Sequence, residues 1–183
     1  MDFWSTLWDT FTNPSNNIYP DEPANARGAS SLLCIDVFFH IVRNTNGTDA
    51  FLPPNLDDVV SNLNEFYSPH NIVINNLGSD FIDDTNFLTL FNGEQDALFD
   101  RNQRTDAINF YITNSLWGTV VGVADDIPST SLVIREDWVL TSISAHEFGH
   151  CLNLYHTFQG SSFAPNTTCA EAIMDLIAIL VEI

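Results

Sequence analysis

At 183 residues the chain is long enough for one domain with a full core and short for two. Apolar residues make up 45% of it, with fourteen Phe and four Trp, which excludes a disordered chain. Against 24 Asp and Glu stand five basic residues, all Arg, for a net charge of −19, so no basic cluster is present to release counterions from phosphates and nucleic acid is argued against as a partner.

In chain order, residues 1–31 mix aromatics (Phe3, Trp4, Trp8, Phe11) with Pro14, Pro20, Pro23 and Gly28 and read as a poorly ordered leader. Met1 to Asn17 lacks a positive start and a continuous apolar core, so no signal peptide is visible, and no run of eighteen apolar residues spans a membrane. Leu32 to Val42 is a nearly continuous apolar run that suits a buried strand, with His40 expected as a satisfied core residue rather than a ligand. After a turn over Asn44–Thr48, Leu56, Val59, Val60, Leu63, Phe66 and Tyr67 form a helical stripe ending before Pro69, and a second strand follows over Asn71–Leu77. Strand, helix, strand opens an α/β sandwich.

The stretch Gly78–Asn92 is rich in Asp and Phe. Calcium at Asp80, Asp83 and Asp84 lacks the regular alternation and closing Glu of an EF-hand, so calcium is unsupported and a solvated acidic loop is expected. A short helix over Glu94–Asn102 precedes three strands at Ala107–Thr113, Thr119–Ala124 and Ser131–Arg135, divided by turn signals at Trp117-Gly118 and Asp125–Pro128. Cys34, Cys151 and Cys169 show no CxxC spacing; free thiols are the expectation, with a Cys151–Cys169 bridge as the alternative.

Thr141 or Ser142 caps the next helix, which carries His146-Glu147-Phe148-Gly149-His150. Two His four positions apart share a helix face and can reach one metal ion. Glu147, one step round, stands beside such an ion, where its carboxylate can take a proton from water. His156 follows six residues later. Zinc sites that hydrolyse bonds use three protein ligands and keep the fourth position open, and His146, His150 and His156 complete that set. An HExxH string arises by chance in roughly one chain in a few hundred of this length, and a third His at fixed offset lowers that by about 40-fold.

The string His-Glu-x-x-His-x-x-Asn-x-x-His resembles the extended zinc motif of the metzincin metallopeptidases. Leu154-Tyr155-His156-Thr157-Phe158 is most similar to the pappalysin (cytophagalysin) branch. The resemblance covers residues 32–158 and implies a zincin-like, mixed twisted α/β (α+β) sheet with a long first helix and an active-site helix. It also implies one catalytic zinc, a peptide or protein substrate that adds to the edge strand near Thr119–Ala124, and secretion. Residues 1–31 then read as the remnant of a pro-segment. Asn153 stands where the family has Gly; a sharp turn there needs a left-handed backbone, which Asn tolerates at roughly 1 kcal/mol. Tyr155 is expected to pack rather than to catalyse.

The 159–183 segment is short for the lower metzincin subdomain. Met174, in Ala172-Ile173-Met174-Asp175, resembles the family's Met-turn, while Ile173, Met174, Ile177 and Leu180 or Val181 also fit a plain amphipathic helix. Two functions are therefore carried forward. The first is a zinc endopeptidase in which Glu147 activates a zinc-bound water. The second is a zinc-binding relative, inactive or truncated, with a binding or structural role.

Overall fold

A computed structural model describes residues 32–48 and 55–156. The expected leader over 1–31, Cys169 and Met174 lie outside them. Among the described residues the central sheet has five strands, β1 (Leu33–Arg43), β2 (Ile72–Asp83), β3 (Ile108–Thr113), β4 (Gly122–Ala124) and β5 (Ser131–Arg135), in the order β2-β1-β3-β5-β4. Pairing is parallel except between β4 and β5, which makes β4 an antiparallel edge strand. Among the described residues the α-helices are α1 (Leu56–Tyr67), α2 (Gln95–Phe99) and α3 (Ser142–Cys151). This is the mixed α/β sheet expected of a zincin, with the helix bearing His146 and His150 last among the described residues.

Burial on both faces explains the strand sequences. All six residues of β3 are buried, as a central parallel strand requires. On one face Val42, Tyr111 and Val133 pack with Leu98 and Phe99 of α2. On the other, Phe39 meets Phe110 with ring centroids 5.1 Å apart. Asn55 caps α1 by accepting the Asp57 N–H at 3.0 Å, and Val59, Leu63 and Tyr67 form its buried stripe. Helix α1 lies along β2 and against α3. Hydrogen bonds fix it: the Asn64 side chain both donates to and accepts from the Ile74 backbone, at 2.9 and 2.8 Å, Asn76 Nδ2 donates to Asp57 Oδ1 at 3.0 Å, and the Tyr67 hydroxyl donates to Ala145 O at 2.6 Å.

The expected acidic loop after Leu77 is instead strand. β2 continues to Asp83 through a bulge opposite Val37/Phe38, where Gly78 has φ 131°. Cross-strand pairing carries it: His40 lies opposite Asp80 and Arg43 opposite Asp83, and both pairs are bonded. Asp84 accepts from Asn86 N–H and meets Arg101, so all three carboxylates proposed for calcium are engaged by protein donors. His40 is a satisfied core residue, with Nδ1 2.7 Å from Asp80 and Nε2 3.0 Å from Asn109 Oδ1. Elsewhere the expected bounds shrink: β4 is three residues rather than six, and α2 five rather than nine. None of the helices among the described residues is long and apolar enough to cross a membrane.

Candidate metal centre

Helix α3 starts where Thr141 Oγ1 accepts the Ile143 N–H at 3.3 Å, and it runs ten residues. At that length His146 and His150 lie one turn apart on one face, with ring centroids 4.7 Å apart. The helix ends in a tight reversal. Asn153 takes φ 71°, its N–H donates to His150 O at 3.0 Å, and the Leu154 N–H donates to Gly149 O at 3.0 Å. These are the paired bonds of a Schellman cap, with Asn153 at the left-handed position that usually holds Gly. The reversal turns the chain back over the helix end. It brings His156 Nε2 to 3.0 Å from His146 Nε2 and 3.2 Å from His150 Nε2.

One nitrogen from each of the three His lies within 4.8 Å of the others. The closer separations match the edge of a tetrahedron with metal–nitrogen bonds of about 2.05 Å, which is about 3.3 Å. The donor set fits as well. His150 Nδ1 donates to Leu154 O at 2.6 Å, which fixes the proton on Nδ1 and leaves the Nε2 lone pair facing the cluster. Burial holds His146 down to about 4, helped by His150 and His156, and burial also lowers His150. Both imidazoles are therefore neutral near pH 7, the form that binds a metal. The residues present suit a divalent ion.

Glu147 reaches the edge strand, where Oε2 accepts the Ala124 N–H at 3.0 Å. Burial pushes its carboxyl up to about 7, against the lowering effect of that N–H. Tyr155 is exposed and its hydroxyl lies 3.4 Å from Ile127 O, so it is neither a core residue nor turned into the cluster. Cys151 is a free, buried thiol 3.8 Å from Ser131 O, and burial raises it well above the usual thiol range.

The partners that sequence reading missed are main-chain groups, Leu154 O on His150 and Ala124 N–H on Glu147, together with the Tyr67–Ala145 link. Backbone donors leave no residue-type signal. Tyr67 was visible only as one more apolar position in a stripe.

Sheet order, the histidine-bearing helix and the histidine cluster together define a metzincin-type fold built around a three-His metal group. No family model matches the sequence. The chain is 28% identical over 158 residues to an extracellular metalloprotease of Neurospora crassa, covering 72% of this chain and 53% of that protein. It is 26% identical over 172 residues to an extracellular metalloprotease of Colletotrichum graminicola, covering 78% of this chain and 59% of the relative. Among solved structures it matches a mutant form of Tannerella forsythia promirolysin with a TM-score of 0.53 and 19% identity, over 70% of this chain and 58% of that one. The protein is thus distantly homologous to fungal extracellular metalloproteases, and it spans little more than half the length of these relatives.

Proposed function

We propose that this chain is a secreted zinc endopeptidase of the pappalysin (cytophagalysin) type, with residues 32–158 as its upper catalytic subdomain. The convergence of three imidazole nitrogens, on and against the helix that also carries the half-buried Glu147, carries the reading. His146, His150 and His156 would hold zinc, and Asn153 shapes the turn that returns the third of them. Bound zinc supplies a Lewis acid that polarises a carbonyl and lowers the pKa of water.

The chain's own residues do the rest. Glu147 is the general base: burial raises its proton affinity toward the working pH, so it can take a proton from the attacking water and deliver it to the leaving amine. Its Oε2 is held by Ala124 N–H, which leaves Oε1 to exchange that proton. A peptide lying extended along β4 finds an edge strand, the usual geometry for strand addition. The homology to extracellular metalloproteases supports protein substrates outside the cell.

Glu147→Gln and His150→Ala test this on the full chain loaded with zinc and given denatured casein. Glu147→Gln should keep its zinc and lose activity by on the order of a hundredfold or more, the usual contribution of a positioned base. His150→Ala should lose zinc and stability together. If the parent binds one zinc and cleaves nothing, the chain is the non-hydrolytic zinc-binding relative instead.

A further inference from the structure

The edge strand comes unusually close to the catalytic helix at one residue. A Cβ built on Gly122 would lie 2.7 Å from Ile134 Cδ1, 2.9 Å from Glu147 Cγ and 3.0 Å from Ile143 Cγ2. Ile143 and Glu147 are four apart on α3 and so share the face that settles onto β4. The backbone of Gly122 lies outside the left-handed region, so the requirement for glycine there is one of space and not of conformation.

Strand register says which way β4 presents its groups. Arg135 N–H bonds Val121 O and Asp125 N–H bonds Ser131 O, at 2.9 and 3.0 Å. Odd-numbered residues therefore face β5, and the N–H groups of Gly122 and Ala124 point away from the sheet. Val123 packs on the opposite face, in the cluster of Tyr111 and Val133. Gly122 and Ala124 thus share one side, where the stem of Glu147 crosses the glycine and its carboxylate ends on the Ala124 N–H.

We infer that Gly122 is a positioning residue for Glu147: its missing side chain is the notch that lets the carboxylate reach the Ala124 amide and stay at a fixed place beside the three His. This deepens the proposed peptidase function and rests on it for its catalytic meaning. The geometric claim stands on the contacts alone.

Gly122→Ala is the direct test, and Gly122→Ala/Ile134→Val separates positioning from packing, because Val lacks the Cδ1 that crowds the new methyl most. Two readouts are needed on the full chain. Amide exchange at Ala124 reports whether Glu147 still holds that N–H. Steady-state cleavage of casein-derived peptide reports catalysis. The double variant should recover the melting temperature and bind zinc as the parent does. It should exchange its Ala124 amide on the order of tenfold faster, as Glu147→Ala does, while the Val123 amide stays protected by β5. Its kcat should remain down by roughly 10- to 100-fold with KM within about twofold, the effect of a misplaced catalytic group.

Recovery of both kcat and Ala124 protection in the double variant would show that Gly122 serves packing only. Parent-like protection in Gly122→Ala itself would overturn the inference too. If Ala124 protection is lost as expected but the zinc-loaded parent cleaves nothing, the positioning stands and the peptidase reading fails.

Discussion

His150 uses its two ring nitrogens for different tasks, and the division explains why the reversal at Asn153 matters. Nδ1 is bound to Leu154 O, a carbonyl that reaches it only because the chain turns back at a left-handed residue. Asn153→Gly should therefore leave the fold intact and tighten zinc binding by up to about fivefold, since about 1 kcal/mol of backbone cost is removed. A competition titration with a chromogenic chelator measures it. Weaker binding would mean that the Asn153 side chain makes a contact of its own.

Glu147 gives a second prediction, on pH and with zinc removed. Its folded pKa, about 7, lies above the ordinary 4.5. A raised pKa stabilises the fold fully below about 4.5, and that contribution is lost as pH rises through about 7. Gln never ionises and never incurs the loss. The stability of Glu147→Gln relative to the parent should thus improve from pH 4.5 to 7 and level off above. His146 has the opposite sign, since its depressed value makes acid destabilising below its ordinary 6.5, but it is present in both proteins and cancels in the difference. Urea melts in chelator at several pH values read it out. A flat difference would show a solvated Glu147.

At the scale of elements, what was legible in the sequence followed local periodicity. The 3.6-residue stripe of α1 and the apolar runs of β1, β3 and β5 fall within a residue or two of their expected places. Beyond Leu77 the polar second half of β2 was not legible, because its strand state depends on His40 and Arg43, some forty positions away, and on a bulge that absorbs Gly78. The histidine cluster was foreshadowed by spacing. Only the structure shows the Schellman bonds that return His156, and the edge strand against which Glu147 rests.

Helix α1 is tied to β2, at the opposite edge of the sheet from β4, chiefly by the Asn64 amide. Asn64 satisfies both the N–H and the C=O of Ile74, a residue only 2% exposed, so water has little access to replace it. Asn64→Ala should cost about 2 kcal/mol, two hydrogen bonds at about 1 each, in chemical denaturation. A loss below about 0.5 kcal/mol would place water at Ile74 instead.

For the molecule as a whole the dominant fact is charge, 24 acidic residues against five Arg. Four of those Arg already pair with Asp: Arg43 with Asp83, Arg101 with Asp84, Arg104 with Asp106 and Arg135 with Asp137. These pairs sit at the surface and are weakened by salt. The unpaired carboxylates repel one another, and salt relieves that repulsion as well. Asp125 shows the local form of it, its carboxyl raised by burial first and then by Asp96, Asp126 and Asp100. With a net charge of −19 the repulsive sum involves many more pairs than five Arg can offset, so relief should win. The melting temperature of the zinc-free protein at neutral pH should rise as monovalent salt goes from about 20 mM to about 500 mM, over which the Debye length shrinks from roughly 20 Å to about 4 Å. Repeating the series near pH 4.5, where much of the charge is neutralised, should flatten the dependence. A melting temperature that falls with salt at neutral pH would mean that the surface ion pairs contribute more than the acidic shell costs.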